Sequence, residues 1–199
     1  DLKGIDHPKV LSYIDVLKDQ KPVGRSVAII GAGGIGFDVA EYLSHEGESP
    51  ALNVAAYMEE WGVDMQYAHR GGLTEPHPHP SPREIYLLQR SEGKLGAKLG
   101  KTTGWIHRNS LRKKQVNMMG GVRYGMVDDE GLHLLVDNKP VVLKVDNVVV
   151  CAGQEPLREL YDQLKDNGVS LHLIGGAEEA KELDAKRAID QGARLAARI

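Results

Sequence analysis

Cysteine is almost absent from this chain of 199 residues, in which Cys151 is the only one. A single thiol excludes an internal disulfide, a CxxC redox pair, and a zinc or iron–sulfur site built on thiolates of this chain alone. Any redox chemistry must therefore use a bound cofactor. Because Cys151 ends an apolar run, we interpret it as a small buried residue rather than a nucleophile.

Long apolar segments and an excess of basic charge are also missing. The longest apolar runs, such as residues 148–152, are far shorter than the roughly 20 residues that span a bilayer, and the amino terminus lacks a secretion-signal pattern. Lysine and arginine number 25 against 28 acidic residues, which disfavours nucleic acid as a partner. We expect a cytoplasmic protein that binds neither membrane nor nucleic acid.

A glycine fingerprint follows the first β-branched segment. Residues 25–30 predict a parallel strand buried on both faces, and the apolar spacing after the fingerprint predicts an amphipathic helix. The turn between them consists of Gly31, Ala32, Gly33, Gly34, Ile35 and Gly36. In this context the three fingerprint glycines permit a tight turn, close approach of a pyrophosphate, and close packing of helix on strand. The helix amino terminus adds N–H groups and a positive dipole for phosphate, although a glycine turn without a ligand is an alternative.

The end of the second predicted strand, residues 84–89, indicates which nicotinamide cofactor is used. NAD sites place an acid there for the ribose 2′-hydroxyl, whereas a cation suits the 2′-phosphate of NADP. Arg90 follows the strand, and Lys101 lies in the basic loop beyond it. Because a guanidinium matches phosphate in charge and in donor geometry, we predict NADP(H), with NAD or ordinary solvated cations as alternatives. Arg90 is 54 positions beyond Gly36 instead of the usual ~20, so residues 44–82 must form an insertion.

The remaining periodicity predicts an α/β fold of Rossmann type with three layers. Helices are predicted at residues 10–17, 54–61, 102–114 and about 181–199. A small antiparallel meander is predicted from four short strands at 116–119, 122–127, 132–136 and 141–144, and further strands at 146–151 and 170–174.

His77 and His79, with His69 nearby, are the only hint of a metal site. Imidazoles two positions apart can chelate a metal, but no Cys, Asp or Glu completes a familiar ligand spacing. The surrounding prolines favour an exposed extended loop instead. We therefore predict no metal, and we assign no catalytic residue.

Three stretches carry a resemblance to a known family: VAIIGAGGIGFDVAEYL at 27–43, GKTTGWIHR at 100–108, and DNVVVCAGQEP at 146–156, which continues to HLIGGAEEAKELDAKRAIDQGARLA. Together they resemble the carboxyl-terminal part of the trimethylamine dehydrogenase-like flavoproteins, in particular the bacterial NADPH-dependent 2,4-dienoyl-CoA reductases of unsaturated fatty acid β-oxidation. In that family a TIM barrel carries FMN and a 4Fe-4S cluster, and NADPH reduces FAD, which supplies electrons through the cluster to FMN.

The resemblance implies a domain assignment and further cofactor contacts. Residues 1–24 would be a helix and linker from the FAD domain, 25–153 the NADP(H) domain with its insertion, and 154–199 a carboxyl-terminal piece of this second dinucleotide-binding domain. The added cofactor-binding candidates are Ala152, Gly153, Gly175 and Gly176. The missing FAD half-domain and TIM barrel would be partners, dienoyl-CoA would bind only through them, and the isolated chain would not be catalytically competent.

Two other readings stay open at this point. The chain could be a structural nucleotide-binding module that holds an ADP-like ligand without electron transfer, or the NAD(P)H domain of another NADH:flavin oxidoreductase. An enzyme of the thioredoxin reductase type is disfavoured because the chain has no CxxC pair.

Overall fold

The computed structural model describes residues 2–181 and 184–199, and the chain divides after Ala152 into two compact units. The first unit contains, in chain order, β1 (Val10–Ser12), α1 (Tyr13–Leu17), β2 (Ser26–Ile30), α2 (Gly34–Leu43), α3 (Val54–Trp61), β3 (Glu84–Leu88), α4 (Gly104–Lys113), β4 (Asn117–Met119), β5 (Arg123–Asp128), β6 (Gly131–Val136), β7 (Lys139–Leu143) and β8 (Asn147–Val150). The second unit contains α5 (Glu159–Leu164) and α6 (Ala185–Ala196). Short 3₁₀ turns occur at Pro50–Leu52, Arg70–Gly72 and Gly175–Ala177.

A five-stranded parallel sheet forms the centre of the first unit. Its strand order is β1-β8-β2-β3-β4, and every neighbouring pair is parallel. β2 lies between β3 and β8 in this sheet. The chain continues from β2 to β3 on one side and returns to β8 on the other, so the direction in which strands are added reverses beside β2. In open α/β sheets, ligands bind at such a reversal, beyond the carboxyl ends of the strands.

The two faces of β2 pack against different layers, because successive side chains of a strand point to opposite faces. Val27 and Ile29 belong to a core that includes Phe37 of α2. Ala28 and Ile30 belong to a second core that includes Leu132 of β6. The antiparallel sheet β5-β6-β7 therefore covers one face and helices cover the other, which confirms the predicted three-layer α/β fold with a small meander.

Two predicted elements of the first unit differ from the structure. The predicted helix over residues 10–17 is a helix only from Tyr13, because Val10–Ser12 pair in parallel with β8; strand pairing outweighs a weak helical spacing. Residues 116–119 were predicted to begin the meander, but β4 pairs in parallel with β3. β4 is therefore an edge strand of the large sheet, and the meander has three strands.

In the second unit the predicted strand at 170–174 is wrong, since these residues pair with no other strand in the described part of the chain. An extended segment becomes a strand only when a neighbour supplies hydrogen bonds. The predicted terminal helix is present as α6, which is capped by the Asp184 carboxylate accepting from the Arg187 backbone N–H. Residues 182–183 of the predicted range lie outside the described residues.

The cap of α1 should make folding sensitive to acid. Ser12 and Asp15 form a capping box, and hydrogen bonds from Lys21 and Ser12 lower the pKa of Asp15 to about 2 from 3.8. Since the folded value lies below the unfolded one, the stabilisation is complete above about pH 4 and is lost as the pH falls toward 2. We expect Asp15→Asn to cost about 1 kcal/mol at pH 6, after allowance for solvent screening, and little at pH 2.

Urea unfolding at both pH values measures this difference. Asp19→Asn is the matched control, because Asp19 is exposed and four positions further along. Equal losses for the two variants at pH 6 would contradict a specific role for the cap.

Candidate functional site

The glycine loop lies directly after β2, at the carboxyl end of that strand. Gly31 has φ +108°, and a Cβ atom there would lie 3.1 Å from the carbonyl of Cys151 and 3.2 Å from the backbone nitrogen of Ala152. A Cβ on Gly36 would lie 1.7 Å from the carbonyl oxygen of Gly31. A side chain at Gly36 would overlap the backbone, and one at Gly31 would be crowded and strained by the positive φ, because the loop, α2 and the end of β8 lie close together.

The middle of the loop has the opposite character. A Cβ atom on Gly33 or Gly34 would meet nothing within 4 Å, so the backbone there is bare toward open space. Gly33 is the N-cap of α2, makes no side-chain capping bond, and is followed by a first turn without acidic residues. The first N–H groups of a helix have no partner within the helix, and here they have no side-chain cap. Bare backbone and a positive helix end fit a diphosphate group.

The other two loop residues anchor the turn to the core. Ala32 is 8% exposed and belongs to the helix-side core, and Ile35 packs against that core. Buried Ala32 and partly buried Ile35 attach the loop to the core, while the bare glycines between them leave backbone amides open to a ligand.

Arg90 lies two residues beyond the end of β3, the strand next to β2. The side chain is exposed and makes no hydrogen bond or ion pair with the described residues. The guanidinium is thus available for a ligand. No acid occupies the strand end, because the residue that follows Leu88 is Gln89.

The sequence did not single out two residues near Arg90: Gln89, which organises the loop, and Tyr124, which is close enough for the charge of Arg90 to act on it. The Gln89 side-chain amide donates to the carbonyl oxygens of Ser91, at 3.0 Å, and Gly93, at 3.5 Å. Tyr124 of β5 has a buried hydroxyl with no hydrogen-bond partner in the described residues. Burial raises the pKa of Tyr124 to about 12, and the charge of Arg90 acts in the opposite direction. Gln89 could be noticed as a neutral residue at a strand end, but Tyr124 comes from another sheet and carries no sequence signal.

The remaining predicted cofactor residues are divided between the two units. Ala152 lies beside Gly31, as described above. Lys101 is exposed in the turn before α4, and no hydrogen bond or ion pair joins it to the glycine loop. Gly153, Gly175 and Gly176 belong to the second unit. There the N–H of Gly175 donates to the Gln191 side chain at 2.6 Å.

Cys151 and His69 have surroundings that are typical of structural rather than reactive residues. Burial raises the pKa of the Cys151 thiol to about 12, which keeps it protonated and unreactive near neutral pH. Asp64 accepts hydrogen bonds from the backbone and from Nδ1 of His69. In residues 2–181 and 184–199 no group of three or more His, Cys, Asp and Glu side chains has the arrangement of a metal site, and no helix there is long and apolar enough to cross a membrane.

Comparison with curated proteins finds two reductases. The chain is 24% identical to a metal reductase of Desulforamulus reducens. The aligned region of 178 residues covers 89% of this chain and 26% of the relative. It is 23% identical to a cinnamate reductase of Clostridium sporogenes. Here the aligned region of 184 residues covers 92% of this chain and 22% of the relative. The chain thus spans about a quarter of the length of these relatives.

Solved structures share the fold at low sequence identity. The chain superposes on 2-naphthoyl-CoA reductase with a TM-score of 0.70 at 20% identity, over all of this chain and 25% of that one. It superposes on an amine oxidase for 6-hydroxypseudooxynicotine from Pseudomonas geniculata N1 with a TM-score of 0.68 at 19% identity, over 97% of this chain and 25% of that one.

A family model places the chain more firmly than any single relative does. The model for pyridine nucleotide-disulphide oxidoreductases matches residues 4–184, a range that contains the glycine loop, Arg90 and the whole parallel sheet. The match covers most of the sequence, and the chain belongs to the pyridine nucleotide-disulphide oxidoreductase family.

Proposed function

We propose that this chain binds NADP(H) at the glycine loop and presents the nicotinamide to an FAD held by another part of a longer polypeptide. The observation that carries the proposal is the bare backbone at Gly33 and Gly34 between two tightly closed positions, Gly31 and Gly36. When bound, the nicotinamide supplies the hydride. The chain itself contributes orientation: its loop amides hold the diphosphate, and the rigid sheet fixes where the cofactor leaves the loop.

Arg90 supports NADP(H) over NAD(H). Its guanidinium is exposed and unpaired in the described residues at the strand end where an NAD site carries an acid. Forked donors with a permanent charge suit a 2′-phosphate. Lys101 is proposed as a second, more distant cation of the same site.

We further propose that the whole protein is a 2,4-dienoyl-CoA reductase of unsaturated fatty acid β-oxidation. The resemblance of three stretches supports this activity, and the relatives of about four times the length leave room for the TIM barrel with FMN and a 4Fe-4S cluster. Dienoyl-CoA would then bind outside this chain. Because the present residues contain no thiolate set for a cluster, their own contribution ends at holding NADPH for hydride transfer to FAD.

The second unit supports a role as part of an FAD domain. Leu157, Leu160 and Ile189 are 73%, 69% and 70% exposed, and so much apolar surface on 47 residues is typical of a segment that packs against a further domain. We propose that residues 154–199 belong to the FAD domain and that Gly175 and Gly176 face the FAD there. Residues 1–24, which the resemblance assigned to the same domain, contribute β1 and the core residue Val16 to the first unit instead.

A structural nucleotide-binding module is the second candidate. The loop recognises a diphosphate, which ADP also contains, so the bare glycines favour both candidates equally. Arg90 separates them, because ADP has no 2′-phosphate. Equal affinity for ADP and NADPH would favour the structural module.

Titration with NADPH, NADH and FAD tests the proposal, with Gly33→Ala as the variant. The added methyl group would occupy the space of the diphosphate, so we expect NADPH affinity to fall about tenfold or more. Stability should change by less than about 0.5 kcal/mol, because the Cβ meets no protein atom. Isothermal titration calorimetry measures the first effect and thermal unfolding the second. Tight FAD binding without nicotinamide binding, or unchanged NADPH affinity in the variant, would refute the proposal.

A further inference from the structure

The backbone on both sides of Arg90 is held by the turn that connects β4 to β5. The Gln89 carbonyl oxygen accepts a hydrogen bond from the Val122 N–H at 3.2 Å. On the other side of Arg90, the Ser91 carbonyl oxygen accepts from the Gly121 N–H at 3.0 Å. The backbone that carries the exposed Arg90 side chain is therefore fixed to the start of β5, while the guanidinium itself is free to turn toward a ligand.

Tyr124 follows this turn as the second residue of β5. It lies two positions beyond Val122, so about 7 Å of strand separates its backbone from the residue that bonds to Gln89. Its ring packs against the core between the parallel sheet and the meander. The charge of Arg90 acts on the pKa of Tyr124, so the guanidinium and the phenol are near one another in space as well as along the backbone.

The Tyr124 hydroxyl is buried and has no hydrogen-bond partner among residues 2–181 and 184–199. Such a group is destabilising, and buried tyrosines usually have a partner. Tyr86 shows the usual case: it packs against the same core, and its hydroxyl donates to the Glu84 carboxylate at 2.6 Å. An unpartnered hydroxyl beside a proposed ligand site is a group whose partner arrives with the ligand.

We propose that Tyr124 is a positioning residue for Arg90, whose guanidinium donates a hydrogen bond to the Tyr124 hydroxyl oxygen when it binds the 2′-phosphate of NADP(H). This inference rests on the nucleotide site proposed above. A guanidinium has five N–H donors, and a bidentate phosphate contact uses two of them. The remaining donors leave Arg90 able to contact the phosphate and the phenol together.

The phosphate is what makes the contact with the phenol favourable. A free guanidinium is better solvated by water than by one buried hydroxyl, because removing an uncompensated charge from water is costly. Once the phosphate compensates the charge of Arg90, that cost falls, and the Tyr124 hydroxyl gains its missing partner. The hydrogen bond therefore forms with NADP(H) and not with NAD(H), so it contributes to selectivity between the two cofactors.

Tyr124→Phe removes the hydroxyl and keeps the ring. We expect NADPH affinity to fall about tenfold, the effect of one hydrogen bond to a charged group, and NADH affinity to change less than about twofold. Thermal stability without nucleotide should not fall, because the hydroxyl makes no hydrogen bond with the described residues. Calorimetric titration with both cofactors measures the selectivity. Tyr86→Phe is the matched control, since its hydroxyl already has Glu84 as a partner, and it should leave the selectivity unchanged.

A second background shows whether Tyr124 acts through Arg90. In Arg90→Met, the further change Tyr124→Phe should not alter NADPH affinity, because the donor of the hydrogen bond is absent. An additional loss there, or equal losses of NADPH and NADH affinity in Tyr124→Phe alone, would indicate a merely structural role and overturn the inference.

The outcomes separate this inference from the proposed function. If Arg90→Met abolished the preference for NADPH and Tyr124→Phe preserved it, the inference would fail and the nucleotide site would stand. Equal affinities of the parent chain for NADPH and NADH would overturn the NADP(H) site and the inference with it. A crystal structure of the parent chain with NADPH decides even if a variant fails to fold: we expect the Arg90 guanidinium within hydrogen-bond distance of the Tyr124 hydroxyl, and a guanidinium directed away from it would contradict the inference.

Discussion

Replacing Gly36 by alanine is expected to destabilise the first unit by about 3 kcal/mol and to abolish nucleotide binding. The new Cβ would lie 1.7 Å from the carbonyl oxygen of Gly31, and backbone cannot move aside as a flexible side chain does. Helix propensity acts the other way, since alanine is favoured over glycine within a helix by about 1 kcal/mol. A measured loss therefore reports the close contact between α2 and the turn after β2.

Urea denaturation followed by circular dichroism gives the free energy of unfolding for this variant. Gly34→Ala is the matched control, because it lies in the same first turn of α2 and its Cβ would meet no atom within 4 Å. We expect the control to be as stable as the parent chain or slightly more stable. If Gly36→Ala were equally stable, the loop could not have the closed geometry described above.

Arg90→Glu should produce the largest functional effect, a loss of NADPH affinity of about 100-fold with NADH affinity changed less than about threefold. The substitution removes charge-assisted hydrogen bonds, each contributing about 1.5–3 kcal/mol, and adds repulsion of the 2′-phosphate. NADH lacks that phosphate, so its diphosphate contacts with the glycine loop are preserved. Calorimetric titration with both cofactors and with ADP measures the change in selectivity.

Arg112→Glu is the control for this reversal of charge. Arg112 is an exposed cation in the last turn of α4. Its replacement should leave the affinities for NADPH and NADH unchanged. Parallel losses of NADPH and NADH affinity in Arg90→Glu would show that Arg90 does not recognise the 2′-phosphate. An ADP affinity equal to that for NADPH in the parent chain would favour the structural nucleotide module.

The local sequence pattern was sufficient to predict an element where residues next to it in the sequence determine its bounds. The helix at Val54–Trp61 has the predicted bounds, because Asn53 caps it and Gly62 ends it in a left-handed conformation. The fingerprint glycines were likewise placed correctly after a buried strand. Strand pairing was harder to predict from the sequence. β1 was predicted as part of a helix and β4 as part of the meander, because the partner of an edge strand is remote in the sequence.

The candidate sites show the same division. Arg90 could be proposed from the sequence because the residue after a Rossmann strand has a fixed relation to the ribose. The Gln89 contacts are local, to carbonyl oxygens two and four residues away, whereas the burial of the Tyr124 hydroxyl depends on residues from other elements.

The order of residues alone determined the layered α/β class, the position of the nucleotide loop and the lack of internal thiol chemistry. These properties follow from short-range patterns of apolar residues, glycine and cysteine. Only the tertiary structure decided which strands pair, that the meander has three strands, and that the Tyr124 hydroxyl is buried without a hydrogen-bond partner among the described residues. Those features arise from contacts between distant segments, whose energies depend on burial and packing that a linear pattern does not contain.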